Sequence, residues 1–503
     1  MESGGRIGTF ATFWQCQAIF ILVGFVVAWY WAAWRRRLGR LAIERRGTAR
    51  TSYCVPADSR PDLRRRRSTR RRPGAVAVAA QNNDATADAS NLPFAPPVAV
   101  VMPVKGVHAE SISNWRTQLV SDYRGRVDYV FVVERASDPA APVARRLCAE
   151  RDDARLVVAG SSSSCSQKIY SMLAGVRAAP EDAEFILFLD DDIRVHRNTV
   201  GTLVESMQTH APRMFLSNGF PFDLPSADGP FANYLTMVYH LVLLVAFSQG
   251  EWTKNVWGGC MILRADDLRG NAHGCVDKYR DGGYSDDLIL AALCDEHGRT
   301  VGCPADAIFP QRMCGRQSTW QWWNYLRRQL FVMDTYATPH NRAVNHGMLL
   351  ALSYLSAAVT SGMAFAAAHL ATAAWMACVQ SVQNERGLDD VSFAWITSAP
   401  WTWTFRASTR AALSAATFAA FAAALSGARE MYAQMGEMAR LLGDEDAPRA
   451  VREIRWRRVA AAFWVTYSLV PLASVVTLLK PTVEWAGIRY RKRRGKVTRI
   501  ETT

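Results

Sequence analysis

Apolar and polar positions divide the chain into distinct regimes. Residues 10–34 are almost continuously apolar or aromatic, interrupted by Gln15 and Gln17 and closed by Arg35, Arg36 and Arg37. At ~1.5 Å of rise per residue, such a run is long enough for a helix across a hydrocarbon core of ~30 Å. It exceeds the core of a signal peptide, and Trp29, Trp31 and Trp34 read as an interfacial belt, with a cleaved signal as the competing reading. A transmembrane helix is therefore expected over 8–34, with the arginines placing the following residues in the cytosol.

The pattern disappears over 35–95. Eight arginines fall between 60 and 72, followed by an Ala/Asn/Asp stretch from 75 to 90 with neither a helical nor a strand period. Such composition cannot bury enough apolar surface to fold, so a basic, disordered linker is expected. A solvated spacer, adhesion to anionic headgroups and nucleic-acid contact are its three readings. No aromatic groove or recognition motif accompanies the third, and no nucleic-acid partner is expected.

From 97 onward short apolar runs alternate with helical segments. Strands are expected at 98–102, 127–133, 155–158 and 185–189, with helices at 142–151 and 168–178 between them. Repeated strand-helix units imply a largely parallel, Rossmann-like α/β sheet, expected over 96–342. No Gly-x-Gly-x-x-Gly turn follows the first strand, which leaves a dinucleotide cofactor unsupported. Residues 231–248 are nearly long enough to span a bilayer, but Asn233 and His240 favour a helix packed in the domain or lying in the membrane interface. Residues 320–336 read as an aromatic helix with Arg327 and Arg328 in its middle. Membrane helices are expected across 343–480: one long span or a hairpin at 348–379, and candidates at 411–425 and 459–479. Arginines flank both ends of the last candidate, so the positive-inside rule draws both ends to the cytosol and one segment must be interfacial or re-entrant. Residues 481–503 are expected as a basic tail.

Composition changes this picture little. Half of the residues are hydrophobic and seventeen are tryptophan, consistent with membrane contact. The formal charge of +14 is concentrated in the linker and tail. Ten scattered cysteines show neither paired Cys-x-x-Cys spacing nor a dense framework, which predicts mostly reduced thiols and no structural zinc.

Candidate chemistry centres on the end of the 185–189 strand, where five apolar residues meet Asp190, Asp191 and Asp192. Ligands of open α/β sheets bind outside the carboxyl ends of strands. Adjacent carboxylates repel one another unless a cation intervenes, and hard oxygen donors suit Mg²⁺ or Mn²⁺; an acidic solvated turn is the alternative. Ser285, Asp286 and Asp287 open a second helix, where capping alone also accounts for acids. Arg327 and Arg328 have the planar fork suited to phosphate, or snorkel to lipid.

Nine stretches in fixed order carry a resemblance: Val-Met-Pro-Val-Lys-Gly (101–106), Phe-Val-Val-Glu (131–134) with Asp138-Pro139, Cys-Ser-Gln-Lys (165–168), Phe-Leu-Asp-Asp-Asp (188–192), Trp-Gly-Gly-Cys (257–260), Arg-Asp-Gly-Gly-Tyr-Ser-Asp-Asp (280–287), Trp-Asn-Tyr-Leu-Arg-Arg-Gln (323–329) and Glu-Trp-Ala-Gly-Ile-Arg-Tyr (484–490). Together they resemble ceramide glucosyltransferases of the plant and algal type, in glycosyltransferase family 21. The resemblance implies a GT-A-type α/β domain between N- and C-terminal transmembrane helices. It also implies transfer of glucose from UDP-glucose to the primary hydroxyl of ceramide, with inversion, at the cytosolic face of the Golgi or endoplasmic reticulum.

By position, Glu134 and Asp138 match the acids expected near uridine, and Asp190 with Asp192 match the metal-binding acids. Asp287 matches the general base, with Asp286 beside it as the alternative. Arg327 matches the Arg of a Gln/Arg-x-x-Arg-Trp motif, here with Asn324 in the leading position and Arg328 in place of the Trp. Lys168, Trp257 and Arg328 are expected to face the donor or acceptor. The implied partners are a nucleotide sugar, ceramide and membrane lipids, with Tyr234 and Tyr239 at the acceptor entrance. A polyprenyl-phosphate or polysaccharide sugar transferase and a non-catalytic lipid-binding scaffold are the other readings. Nothing in the sequence fixes an oligomeric state.

Overall fold

A computed structural model describes residues 2–46, 95–313, 315, 317–386 and 407–500. The expected linker over 47–94, with its arginine run, lies outside these residues; 35–46, expected to begin that linker, instead continue the first helix.

Ten strands build the α/β domain: β1 (Val98–Pro103), β2 (Val127–Val133), β3 (Ala154–Val158), β4 (Phe185–Leu189), β5 (Met214–Asn218), β6 (Phe220–Pro225), β7 (Trp252–Thr253), β8 (Cys260–Arg264), β9 (Thr300–Gly302) and β10 (Ile308–Met313). Eight of them form one sheet in the order β3-β2-β1-β4-β8-β5-β9-β7, and β6 pairs with β10 separately. The expected parallel half is present: β3, β2, β1 and β4 all run the same way. β8 then inserts antiparallel between β4 and β5, with Leu189 opposite Cys260. β4 is buried on both faces. Ile186 and Phe188 join one core layer with Ile169 and Met172, while Phe185, Leu187 and Leu189 join the other with Trp115 and Leu203. Two-sided burial explains why this strand reads as an unbroken apolar run.

Eight helices position the site. They are α1 (Glu2–Arg46), α2 (Gln167–Ala178), α3 (Phe231–Leu241), α4 (Asp286–Glu296), α5 (Thr319–Val332), α6 (Pro339–Arg386), α7 (Ala407–Leu441) and α8 (Trp456–Leu479). Segments Thr9–Arg45, Pro339–Val379, Arg410–Leu441 and Trp456–Leu479 are long and apolar enough to cross a membrane. α1 packs along α6 and α7, and α8 lies against α3, α5 and α6.

Two expected alternatives narrow, and the arginines after the first span take a role. The 231–248 segment is α3 followed by a short turn of helix, Leu243–Ala246, and α3 is buried between β6, α5 and α8. α6 is continuous, so no hairpin forms at Ser361-Gly362. Gly362 marks a helix crossing instead: a Cβ there would approach the Ala18 Cβ to 2.3 Å and the Trp14 carbonyl oxygen to 2.5 Å. Arg35 and Arg36 dock α1 onto the domain. Arg36 donates to the Phe247 carbonyl at 2.6 Å and the Ser248 hydroxyl at 3.0 Å, and Arg35 donates to the Gln249 carbonyl at 2.7 Å. These contacts satisfy carbonyls after the Leu243–Ala246 turn that no further helix residue reaches.

The expected basic tail is a folded element. β11 (Thr482–Trp485), β12 (Ile488–Arg493) and β13 (Lys496–Ile500) make an antiparallel sheet. β12 alternates buried and exposed positions, turning Ile488, Tyr490 and Lys492 inward and Arg489, Arg491 and Arg493 outward. Its inner face closes a cluster with Tyr284 and Phe331. Gly282 lies where the tail crosses: its φ is +76°, and a Cβ would meet the Lys496 Cβ at 2.4 Å.

Candidate active site

The Cys-Ser-Gln-Lys stretch starts α2 and aims one lysine at the acids. Ser166 caps the helix by accepting from the Ile169 N–H at 3.3 Å. Gln167 holds the preceding loop, accepting from the Ser162 N–H and donating to the Gly160 carbonyl. Lys168 Nζ then lies 2.8 Å from Asp190 Oδ1, 3.1 Å from Asp286 Oδ2 and 3.1 Å from the Gly258 carbonyl. One ammonium thus joins the end of β4 to the start of α4. Burial alone would lower its pKa, but Asp190 and Asp286 outweigh burial and hold it charged. Gly258 must be small here, because a Cβ would meet Asp286 Oδ2 at 2.5 Å.

The other acids are less compensated. Asp191 accepts from the Lys105 N–H at 3.4 Å, and Asp192 Oδ2 accepts from Gln311 Nε2 at 3.0 Å. Enclosure by the protein, then repulsion among Asp190, Asp191 and Asp192, pushes the Asp191 and Asp192 carboxyls above their ordinary range. At α4, Ser285 accepts from the Leu288 N–H at 3.3 Å. Asp287 Oδ1 accepts from that same N–H at 2.7 Å and from the Ser285 hydroxyl. Asp287 is half-buried and leaves Oδ2 without a hydrogen bond among the described residues. Asp286 is buried; its burial, partly offset by Lys168, pushes its carboxyl up to about 7.

Glu134 and Asp138 do not line the cavity that these acids face. Glu134 receives Arg499 at 2.7 Å, Lys105 at 3.1 Å and Ser161 at 2.9 Å. Burial would raise its carboxyl, but these three partners hold it below the ordinary range. Asp138 Oδ1 accepts from the Gly106 and Ala140 N–H groups, both at 2.8 Å, and fixes the turn after β1.

The arginine pair separates. Ser318 and Gln321 form a capping box that starts α5, whose Trp322, Leu326 and Leu330 face the core. That phase turns Arg327 toward the tail, where it donates to the Thr482 carbonyl at 3.1 Å, outside the cavity lining. Arg328 lines the cavity, its guanidinium 5.0 Å from the Trp485 ring and 5.4 Å from Tyr325.

The cavity measures about 730 Å³. Lys168, Asp190, Asp192, Asp286, Asp287 and Trp257 line it, and so do the apolar Leu243, from the Leu243–Ala246 turn, and Val344 and Met348, from the start of α6. Among the described residues, no group of three or more His, Cys, Asp or Glu side chains is arranged to hold a metal ion. Two carboxylates nevertheless suffice for Mg²⁺, which keeps waters and takes further oxygens from phosphate. Asp190 and Asp192 supply hard oxygen donors of the required kind, and the repulsion by Asp190 that adds to burial in raising the Asp192 carboxyl is one a cation would offset.

The model of the family described as Glycosyl transferase family 21 matches residues 73–423. The chain belongs to that family. Among solved structures, it is similar to the mannosyltransferase PcManGT from Pyrobaculum calidifontis in complex with GDP-Man and Mn²⁺, at 15% identity over 79% of this chain and 97% of that one, with a TM-score of 0.36. It is also similar to S. aureus TarS 1-349, at 10% identity over 81% and 97%, with a TM-score of 0.32. A third similarity is to the Mycobacterium tuberculosis glucosyl-3-phosphoglycerate synthase in complex with Mn²⁺, UDP-Glc and phosphoglyceric acid, at 13% identity over 44% and 72%, with a TM-score of 0.26.

This family 21 glycosyltransferase has the expected α/β sheet and, beside it, the apolar helices described above. Its cavity also contains residues for which no role in the site was expected from sequence. Buried Asp223 lies 2.7 Å from His240 Nδ1, and His240 Nε2 lies 2.6 Å from the Tyr325 hydroxyl. With Nδ1 donating to Asp223, Nε2 accepts from Tyr325. His240 stood out as a polar residue in an apolar segment, but Asp223, in a fully buried strand, offered no signal. Trp485 also lines the cavity, from a segment more than 150 positions beyond Arg328. Of the two tyrosines expected at an entrance, Tyr239 lines the cavity; Tyr234 does not, and its ring packs under Arg458 at 4.4 Å.

Proposed function

We propose that this glycosyltransferase transfers glucose from UDP-glucose to the primary hydroxyl of ceramide, with inversion, at the cytosolic face of a Golgi or endoplasmic-reticulum membrane. The observation that carries this reading is one cavity lined both by carboxylates and by apolar side chains of α6 and the Leu243–Ala246 turn. A lipid with a polar hydroxyl headgroup has the same division. Withdrawing its chains into water would cost about 0.8 kcal/mol per CH₂, so the site must stand beside the bilayer.

Asp190 and Asp192 would hold Mg²⁺ or Mn²⁺ with the diphosphate. A bound divalent ion there neutralises charge that grows on the UDP leaving group. Arg328, with its planar fork open to the cavity, takes the diphosphate contact expected of Arg327. Lys168 stays charged between Asp190 and Asp286 and sets their spacing. Asp287 accepts the ceramide hydroxyl proton through Oδ2; Asp286 is committed to Lys168. Direct displacement needs only that base, because no covalent sugar intermediate has to be resolved. Glu134 and Asp138 shape the loops that receive uridine, and Trp257 packs beside the sugar.

Transfer of labelled sugar from UDP-glucose to ceramide is the test, in membranes carrying the wild type, Asp192→Ala or Asp287→Asn, with and without EDTA. Product from the wild type alone, lost with either substitution at normal protein level and lowered by EDTA, is the expected result. Absence of product from folded wild type across several ceramides and both metals rejects this acceptor. Sugar transfer to a polyprenyl phosphate under the same conditions would identify the alternative.

A further inference from the structure

The four apolar helices do not have equivalent ends. Among the described residues, α1 meets the α/β domain at its C-terminal end, through Arg35 and Arg36. α6 leaves the domain at Asn341 and Asn345, which bond to the Leu288 and Thr335 carbonyls. α7 returns to it, leading to Asp444, which pairs with Arg312 at 2.8 Å. Each of these helices has one end on the domain and one remote from it. α8 has both ends on the domain.

At its start, Arg455 pairs with Asp228 at 2.6 Å, and Arg458 donates to the Ala227 and Gly229 carbonyls at 2.9 and 2.8 Å. Thr466, near its middle, donates to the Leu235 carbonyl of α3 at 3.4 Å. At its end, Lys492 donates to the Thr477 carbonyl and pairs with Asp334, while the next strand receives Arg327 at Thr482. The last strand then reaches Glu134 through Arg499. No chain remains between Leu479 and Thr482 for a return crossing.

One stripe of α8 stays uncovered: Arg457, Ala461, Ser468, Leu472, Val475 and Leu479 fall at spacings of three, four and seven. Leu472, Val475 and Leu479 are 53%, 54% and 77% exposed, which is incompatible with a helix enclosed by protein. Exposed cations, Arg457 and Lys480, bracket the stripe.

We infer that α8 does not cross the membrane. It lies within the leaflet that faces the catalytic domain, with the stripe against acyl chains, Arg457 and Lys480 at the headgroups, and α3 and α5 seated on its other side. α1, α6 and α7 make the three crossings. Cations at both ends of one apolar helix then obey the positive-inside rule, because both ends are on one side. This arrangement is independent of the sugar or acceptor.

The test uses the full chain in sealed vesicles with the catalytic domain outward and accessible cysteines replaced by serine. Arg457→Cys and Lys480→Cys should both react with a membrane-impermeant maleimide before lysis, whereas Ser3→Cys should react only after it. A nitroxide on Val475→Cys should collide freely with oxygen and poorly with a water-soluble nickel chelate. Labelling of Lys480→Cys only after lysis overturns the inference, as does a Val475 nitroxide accessible to nickel or shielded from both agents.

Discussion

Two charged regions of the molecule lie side by side, with Lys105 touching both Asp191 and Glu134, and are built on opposite rules. At the cavity floor, Asp190, Asp192, Asp286 and Asp287 converge around Lys168. At the C-terminal sheet, carboxylates are outnumbered: Glu134 is held by Arg499, Lys105 and Arg135, and Asp334 by Lys492 and His346. The carboxyls respond in opposite directions. Asp191, Asp192 and Asp286 are pushed up, whereas Glu134 is held down. A matched cluster ties segments together, while unmatched charge persists where a ligand is to complete it.

Removing members of the floor should produce the largest effect. Asp287→Asn is expected to lower turnover by about 10²- to 10⁴-fold, the usual contribution of a positioned base, with little change in melting temperature. A comparable fall in melting temperature and activity would place Asp287 among the structural residues instead.

Arg499→Ala should do the reverse. Breaking a buried pair by removing one partner costs about 3–5 kcal/mol, so unfolding should occur earlier, with activity lost in proportion to folded protein. Arg499→Lys should recover part of the stability. An unchanged melting profile would show that the sheet does not fasten the domain.

The two adjacent arginines sharpen the contrast at smaller scale. Arg328→Ala is expected to raise the KM for the sugar donor about 10- to 100-fold, the worth of one or two charge-assisted hydrogen bonds. Arg327→Ala should leave that KM nearly unchanged and lower thermal stability, since its partner is the Thr482 carbonyl.

The smallest expected effect concerns pH. The Asp286 carboxyl is raised to about 7 in the fold, above its unfolded value. Its contribution to stability is therefore complete below the unfolded pKa and lost as pH rises through about 7. Melting temperature should decline by a few degrees between pH 6 and 8, and Asp286→Asn should flatten that decline. Glu134 acts with the opposite sign, its contribution lost as acid protonates it below the ordinary carboxylate range.

The floor was largely legible in the sequence. A two-sided buried strand has to read as an apolar run, and the break at Asp190 marks its end; likewise Ser285 announces the start of α4. The tail was not. Its alternating pattern exists, but Lys492 occupies an inward position and finds Asp334, so charge masks the strand period. Nor could spacing decide between Arg327 and Arg328, because the rotation of α5 is set by Trp322, Leu326 and Leu330 meeting distant elements. The choice between one long span and a hairpin at Gly362 stayed open in the sequence for a related reason: a glycine that permits close helix contact looks locally like one that permits a turn.

Trp485 and Arg499 lie within the last twenty residues of the chain, yet one forms a wall of the cavity and the other fastens Glu134. These strands follow all four apolar helices in chain order. A chain cut at Thr482 would therefore keep those helices and lose one wall of the chamber together with the partner that fastens Glu134.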